Sequence, residues 1–200
     1  QKVFGGNFRE IVIGGAAFNA EAEAFFRKMK FPFTVGYGMT ECGPLISYAP
    51  PSMNRPGSSG QAVDTLEVTI DSEDPQHIVG EIILRGENVM DGYYKNKEAT
   101  EQMIDKDGWL HTGDLGIIDK DGFIYIKGRS KSMILGPSGQ NIYPEEIESM
   151  LNTKYLINDA LVVQRDNKLI TLIQPDLEMK ERDQVSDDAM QEIFSEHINE

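Results

Sequence analysis

Apolar residues in the first fifty positions follow the order of a parallel α/β layer. A short apolar segment from Glu10 to Ile13 is a predicted strand, and a turn of small residues ends it. Asn19 is a good N-cap for a predicted helix from Ala20 to Lys30, and Phe33 to Val35 is the next predicted strand. Strand, turn, helix and strand in this order indicate a parallel pair joined by a helix.

Two polar or glycine-rich segments follow these two strands. They are Gly14-Gly15-Ala16 and Gly36-Tyr37-Gly38-Met39-Thr40-Glu41. Because ligands of parallel sheets bind beyond the carboxyl ends of the strands, we expect both segments to face one crevice.

The pattern changes to β structure after a connection at residues 47–60, which is rich in Pro, Ser, Gly and Asn. Strands are predicted at Leu66 to Ile70, at Val79 to Arg85 and on both sides of Asp121-Gly122, with a short helix at Asn96 to Met103. Short strands separated by turn residues favour a small antiparallel sheet or a partly closed barrel.

A third pattern begins after Gly128-Arg129. A short strand at Ser132 to Leu135 and a helix opened by Pro144 are predicted first. A hairpin at Ala160 to Val163 and Leu169 to Ile173 follows, and a helical stripe at Met190 to Ile198 comes last. These elements are typical of a small α+β domain.

The predicted fold class is therefore α/β plus α+β. The end of a parallel α/β layer occupies residues 1–50, and a small antiparallel, barrel-like subdomain occupies 51–128. An incomplete, mobile α+β C-terminal domain occupies 129–200, with a hinge near 129–131. We expect the chain to be a piece of a longer protein, because Gln1 lies only a few residues before a buried strand.

Composition narrows the range of partners. The formal net charge is -14, which disfavours a surface that binds nucleic acid. The single cysteine, Cys42, cannot form an internal disulfide, and no apolar run is long enough to span a membrane. We expect a cytoplasmic setting, with peripheral membrane contact and oligomeric state left open.

Asp114 and Arg129 flank the predicted hairpin, so their side chains are expected at the same edge. Asp114 is expected just before one strand and Arg129 just after its partner. A carboxylate that only accepts and a guanidinium that donates five hydrogen bonds suit a polyol plus a phosphate. A structural ion pair at the hairpin mouth is the alternative.

The segment Tyr37 to Glu41 combines groups suited to a nucleotide. Tyr37 offers a flat face for a purine, and Gly38 lets the backbone approach. Thr40 donates a hydroxyl to phosphate, and Glu41 supplies a hard oxygen for magnesium. The alternative is a polar loop with a packed tyrosine. Gly80 to Gly86 and Gly92-Tyr93-Tyr94 are interpreted as scaffold, and His111 as packed or solvated.

Three ordered motifs carry a family resemblance: Trp109 to Asp114, Gly128 to Lys131, and Gly139 to Glu148. Together they resemble the adenylate-forming superfamily of acyl-CoA synthetases, adenylation domains and luciferases. The stretches Gly36 to Pro44 and Gln140 to Pro144 look most like those of long-chain fatty acyl-CoA synthetases.

The resemblance implies a role for each matching residue. It places the adenine wall at Gly14, Gly15, Ala16, Tyr37 and Gly38, the phosphates and metal at Thr40 and Glu41, the ribose at Asp114, the ribose and phosphate at Arg129, the nucleoside at Ile126, the hinge at Lys131, and the channel for the pantetheine arm of CoA at Gly139.

The implied reaction activates a carboxylic acid, with a long-chain fatty acid as the preferred candidate, as an acyl adenylate and transfers it to CoA. ATP, magnesium and CoA are the implied cofactors and substrates. The family's phosphate loop would lie before Gln1 and its catalytic lysine after Glu200, so the isolated chain is expected to be inactive. A noncatalytic nucleotide-binding module and an adenylating domain that loads a carrier protein are the alternatives.

Overall fold

The structure is a computed structural model that describes residues 5–136, 138–166 and 168–199. The chain divides into two compact units, Gln1–Lys131 and Ser132–Glu200. The predicted boundary near residue 50 lies inside the first unit and stays a prediction. No helix among the described residues is long and apolar enough to cross a membrane.

The first unit is mostly β structure. Its strands are β1 (Ile11–Ile13), β2 (Phe33–Val35), β3 (Tyr37–Gly38), β4 (Leu45–Tyr48), β5 (Gln61–Ala62), β6 (Leu66–Asp71), β7 (Gly80–Gly86), β8 (Leu110–Ile118) and β9 (Ile124–Arg129). Its helices are α1 (Ala20–Lys28), α2 (Lys97–Met103) and a short 3-10 helix at Thr40–Cys42.

The parallel α/β pair is confirmed. Strands β1 and β2 run parallel, with Ile11 opposite Phe33, and α1 connects them. Asn19 caps α1 because its side chain accepts a 2.9 Å hydrogen bond from the backbone N–H of Ala22. The helix ends at Lys28 and not at Lys30 as predicted, since Lys30 has a φ of 52°, which is incompatible with a right-handed helix.

Two antiparallel sheets follow the parallel pair. One contains β3, β4 and β5 in that order, and the other contains β6, β7, β8 and β9. An isolated bridge between Gln61 and Phe123 connects β5 to the start of β9. The antiparallel character of this region is confirmed, whereas its closure into a barrel stays a prediction.

The core of the first unit lies between these sheets. Ile82, Leu84, Leu110 and Ile124 are fully buried. They form one cluster with Tyr37 and with residues of the loop and strand that follow it, Cys42 and Ile46. The core therefore contains residues from the candidate nucleotide segment as well as from the sheet.

The interpretation of residues 47–60 as a pure connection is wrong at its first two positions, because β4 extends to Tyr48. Glycine and small polar residues there serve close backbone packing. A Cβ added at Gly60 would lie 2.5 Å from the backbone nitrogen of Ala49, and the Ser47 hydroxyl donates to the carbonyl of Ser59. Such pairing depends on distant residues and leaves little trace in local periodicity.

The second unit is a small α+β arrangement. Its strands are β10 (Ile134–Leu135), β11 (Asn141–Ile142), β12 (Ile157–Arg165) and β13 (Lys168–Pro175), and its helices are α3 (Pro144–Leu151), α4 (Leu177–Arg182) and α5 (Asp187–Asn199). Strands β12 and β13 form an antiparallel hairpin. Leu151, Ile157 and Ala160 form its buried centre, against which Phe194 packs.

A matched pair of isoleucines in β9 provides a test of where the core lies. Ile124 is fully buried and Ile126 is 40% exposed. Ile124→Ala should lower the free energy of unfolding by about 2–5 kcal/mol, since it removes buried methyl groups and leaves a cavity. Ile126→Ala should cost less than about 1 kcal/mol. Urea unfolding of both variants measures the difference, and equal losses would contradict the assigned register.

Candidate functional site

Asp114 is the centre of the candidate site. It lies in β8 directly opposite Arg129 in β9, and the Arg129 Nε lies 3.0 Å from its Oδ1. The Tyr37 hydroxyl donates a 2.7 Å hydrogen bond to its Oδ2. The structure thus brings together three residues that the sequence assigned separately to adenine, ribose and phosphate.

The expectation that Asp114 precedes its strand is wrong, because β8 already begins at Leu110. Arg129 is the last residue of β9 and does not follow it. A register shift between Leu115 and Gly116 breaks the alternation of buried and exposed positions, as β-bulges do. In the segment before Leu115 burial does alternate, but polar Thr112 and Asp114 occupy buried positions, so this segment does not look like a strand in the sequence.

Burial governs the chemistry of this pair. Tyr37 is 8% exposed and Asp114 is 5% exposed. Removal from water, the charge of Asp114 and their hydrogen bond all raise the pKa of the Tyr37 hydroxyl, with burial as the largest cause. Tyr37 therefore remains a neutral donor to the carboxylate. The side chain of Arg129, in contrast, is 66% exposed to solvent.

Two residues interpreted as scaffold or left unassigned hold the backbone beside Asp114. Glu81 Oε1 accepts a 2.8 Å hydrogen bond from the N–H of Gly113. The Thr112 hydroxyl donates to the carbonyl of Ile82 at 2.7 Å and accepts from the N–H of Asp114. Glu81 lies in β7, so only the pairing of β7 with β8 reveals its role.

Glu81 also holds His111. Its Oε2 lies 2.8 Å from His111 Nδ1, and Asp105 Oδ2 lies 3.7 Å from the other ring nitrogen. The hydrogen bond between His111 and the Glu81 carboxylate is the largest cause that raises the pKa of His111 above its ordinary value of 6.5. His111 is thus a partner of the carboxylate that orders Gly113.

The two segments at the carboxyl ends of β1 and β2 lie side by side. The N–H of Gly36 donates a 2.8 Å hydrogen bond to the carbonyl of Ile13. A Cβ added at Gly14 would lie 3.1 Å from the Gly36 carbonyl oxygen, whereas Gly15, with a φ of 90°, has open space around it. Gly15 and Ala16 are exposed, so this edge is accessible to a ligand.

Gly38 requires the absence of a side chain. It pairs with Leu45, and a Cβ at position 38 would lie 3.0 Å from the carbonyl carbon of Pro44. Glycine therefore lets β3 and β4 approach at this point, next to Tyr37. The contact of Gly38 with a nucleotide stays a prediction.

Thr40 and Glu41 begin the 3-10 helix that follows β3. Thr40 is exposed and Glu41 is half-buried, with its Oε1 accepting a 2.8 Å hydrogen bond from the Tyr93 hydroxyl. Across the described part of the chain, no three His, Cys, Asp or Glu residues gather as a metal cluster. One carboxylate and one hydroxyl still suit Mg²⁺, which proteins often bind through one or two carboxylates together with substrate phosphates.

The remaining predicted residues are more dispersed. Ile126 lies in β9 opposite Gly116, with 40% of its surface exposed. Lys131 is the last residue of the first unit. Gly139, with a φ of 83°, belongs to a loop of the second unit, in which Pro137 lies outside the described residues. The roles of these three positions in nucleotide contact, hinge motion and CoA access stay predictions.

The hydrogen bond between Glu81 and His111 has a measurable consequence. Glu81→Gln should lower the pKa of His111, because it removes the charge but keeps an oxygen that can accept from Gly113. The charged imidazole stabilises the fold at acidic pH, and this contribution is lost as the pH rises through the raised pKa. An NMR titration of the His111 ring measures the shift, and Glu87→Gln, at an exposed position, is the control. An unchanged midpoint in Glu81→Gln would contradict the assignment.

The chain is similar to known proteins in sequence and in fold. A family model described as AMP-binding enzyme matches residues 1–94. Over 170 residues the chain is 40% identical to 4-coumarate–CoA ligase 1 of Glycine max, with 78% of this chain and 57% of the ligase covered. Over 121 residues it is 44% identical to a long-chain-fatty-acid–CoA ligase of Salmonella typhimurium, with 58% of this chain and 21% of the ligase covered.

The fold is likewise similar to a solved enzyme. O-succinylbenzoate coenzyme A synthetase from Bacillus subtilis, in complex with ATP and magnesium ion, superimposes with a TM-score of 0.73 at 34% identity, covering 82% of this chain and 35% of that chain. The chain spans little more than half of the plant ligase and about a fifth of the Salmonella enzyme, as the 57% and 21% shares show. On the combined match of sequence, motifs and fold, the chain belongs to the adenylate-forming superfamily of AMP-binding enzymes.

Proposed function

We propose that the protein containing this chain is an ATP-dependent acid–thiol ligase. It activates a carboxylic acid as an acyl adenylate, with release of pyrophosphate, and then transfers the acyl group to the thiol of CoA. The observation that carries the proposal is the cluster of Tyr37, Asp114 and Arg129, in which Tyr37 belongs to the same segment of chain as Thr40 and Glu41. Family membership supports the same reaction class.

Asp114 is suited to bind the ribose. Each carboxylate oxygen accepts one hydrogen bond or ion-pair contact inside the protein, from Tyr37 and from Arg129. A carboxylate has about four lone-pair positions, so both oxygens can still accept from neighbouring hydroxyls. The protein contacts hold the carboxylate in one orientation, and this order reduces the entropy lost when the nucleotide binds.

Arg129 is suited to the phosphate side of the nucleotide. Its Nε is directed to Asp114, and its side chain is 66% exposed. The terminal guanidinium nitrogens can therefore donate to an anionic oxygen, in hydrogen bonds strengthened by charge. The contact with Asp114 positions the arginine and also limits its rotation.

Thr40 and Glu41 would hold magnesium together with the phosphates. The exposed Thr40 hydroxyl can donate to a phosphate oxygen, and Glu41 Oε2, which has no hydrogen-bond partner among the described residues, is free to accept a cation. When bound, magnesium supplies charge neutralisation at the phosphates during adenylation. Glu41 contributes a fixed carboxylate, and Thr40 orients the phosphate oxygens.

We propose a small-molecule carboxylic acid as the acyl substrate and CoA as the acceptor. One relative is named as a ligase for 4-coumarate, an aromatic acid, and another as a ligase for long-chain fatty acids. The long-chain fatty acid is our preferred candidate because the sequence from Gly36 to Pro44 resembles that of long-chain fatty acyl-CoA synthetases. The loop that contains Gly139 is the proposed contact with CoA. A cytoplasmic location is part of the proposal.

The first test removes the ribose carboxylate. In the full-length protein, Asp114→Ala should lower the rate of ATP–pyrophosphate exchange by about 10- to 100-fold, since one charged hydrogen-bonding group contributes about 1.5–3 kcal/mol. The measurement uses a panel of aromatic and fatty acids, which also identifies the acyl substrate. Asp107→Ala, at an exposed position in the turn before β8, is the matched control.

Three outcomes would each overturn part of the proposal. Exchange at the wild-type rate in a folded Asp114→Ala variant would show that Asp114 does not bind the reacting nucleotide. Binding of ATP by the wild-type protein without exchange for any acid would favour a noncatalytic nucleotide-binding module. Thioester formation on a carrier protein but not on CoA would show that the acceptor is the carrier protein and not CoA.

The second test concerns Lys131 at the junction of the two units. Lys131→Pro should suppress thioester formation while adenylation continues, because proline fixes φ near -65° and also restrains the residue before it. Lys131→Ala removes the charge but keeps the torsional freedom, so it should support both half-reactions. Separate assays of pyrophosphate exchange and thioester formation give the result. Equal loss of both steps in Lys131→Pro would sink the hinge prediction.

A further inference from the structure

One segment of the chain holds Glu41 at two points. The N–H of Met90 donates a 2.8 Å hydrogen bond to the carbonyl oxygen of Glu41. Three residues later, the hydroxyl of Tyr93 donates to Glu41 Oε1, also at 2.8 Å. Backbone and carboxylate of the same glutamate are therefore bound by residues 90–93, of which Gly92 and Tyr93 were interpreted as scaffold from the sequence.

Asn88, just before this segment, contacts the residues that follow Glu41. The side-chain amide of Asn88 donates a 3.1 Å hydrogen bond to the carbonyl oxygen of Leu45. A Cβ added at Gly43 would meet the Asn88 carbonyl oxygen at 3.6 Å. Segment 88–93 thus runs alongside the whole loop from Glu41 to Leu45.

Tyr93 is itself anchored by the start of α2. The Thr100 hydroxyl accepts a 2.9 Å hydrogen bond from the N–H of Tyr93 and donates to the carbonyl of Asn96. Gly92 has a φ of 144°, and a Cβ there would lie 2.7 Å from the Thr100 methyl carbon. Packing against α2 therefore fixes the backbone from which the Tyr93 side chain extends.

We propose that Tyr93 is the positioning residue for the metal-binding carboxylate of Glu41, and that residues 90–93 couple α2 to the magnesium site. The inference rests on the proposed function, since it takes Glu41 as a magnesium ligand. Tyr93 does not touch the metal. It binds Oε1 of Glu41, which leaves Oε2 for a cation, and it limits the rotamers that the carboxylate can adopt.

The chemistry of a phenol fits this role. A phenol donates one hydrogen bond and occupies one lone pair of Oε1, which leaves the other positions of the carboxylate free. Hydrogen bonds from outer residues to ligating carboxylates commonly change metal affinity or activity by about 10- to 100-fold when removed.

The chain offers a matched control for the test. Tyr94 is adjacent to Tyr93 and 87% exposed, so Tyr94→Phe removes the same hydroxyl from the surface. The full-length wild type, Tyr93→Phe, Tyr94→Phe, Glu41→Gln and the double variant of Tyr93 and Glu41 are compared. Isothermal titration measures ATP affinity once with Mg²⁺ and once with EDTA, and pyrophosphate exchange is followed as a function of Mg²⁺ concentration.

In EDTA the wild type, Tyr93→Phe and Tyr94→Phe should bind ATP equally. Addition of Mg²⁺ should raise the ATP affinity of the wild type and of Tyr94→Phe, and the gain should be about 10-fold smaller in Tyr93→Phe. Exchange by Tyr93→Phe should recover at high Mg²⁺ concentration, which a general loss of structure would not allow. In the Glu41→Gln background, Tyr93→Phe should have no further effect, because the two residues act through one contact.

The outcomes separate the two proposals. A wild-type protein without ATP binding or exchange overturns the proposed function and this inference with it. Normal exchange together with an equal Mg²⁺ gain in wild type and Tyr93→Phe overturns the inference alone. A loss of ATP affinity in Tyr93→Phe that is as large in EDTA as in Mg²⁺ also overturns it, since it would place Tyr93 at the nucleotide and not at the metal carboxylate.

Discussion

The buried carboxylate of Asp114 is the constraint around which the first unit is arranged. A charged group that is 5% exposed is stable only when hydrogen bonds and an opposite charge replace the water it has lost. Tyr37 supplies the hydrogen bond and Arg129 supplies the charge. Tyr37 lies in β3 and Arg129 in β9, which belong to different antiparallel sheets. The contacts that compensate the buried charge of Asp114 therefore also join these two sheets.

The backbone next to this carboxylate is also fixed by hydrogen bonds. Gly113 has a φ of 72°, its N–H is bound by Glu81, and its carbonyl oxygen accepts a 2.8 Å hydrogen bond from Ser130. Since both polar groups of one residue are engaged, the peptide before Asp114 has a defined orientation. Glu81 in turn is shared with His111, which makes the order of this region sensitive to pH.

A similar arrangement supports the second acidic residue of the site. Glu41 is half-buried on a short 3-10 helix and depends on residues 90–93 for contacts to its backbone and side chain. In both cases a neighbouring element restricts the motion of a candidate ligand-binding carboxylate, which lies within a strand for Asp114 and on a short 3-10 helix for Glu41. Functional groups on loops need such support, because a loop alone leaves several rotamers and backbone states accessible.

Local chemistry was sufficient to predict the elements whose cause is local. The cap at Asn19, the strand at Phe33–Val35 and the proline at the start of α3 each depend on residues within one turn or strand. The candidate ligands Tyr37, Thr40, Glu41, Asp114 and Arg129 were also found from the sequence, because their motif order and side-chain chemistry indicated a nucleotide.

Tertiary structure alone decided how these ligands are paired. The hydrogen bond between Tyr37 and Asp114 joins residues 77 positions apart, and that between Glu41 and Tyr93 joins residues 52 apart. Polar residues at the buried positions Thr112 and Asp114 hide the strand that contains Asp114. Side-chain type and spacing therefore indicated candidate nucleotide ligands, whereas sheet pairing and burial, which depend on distant backbone, determined which side chain positions which.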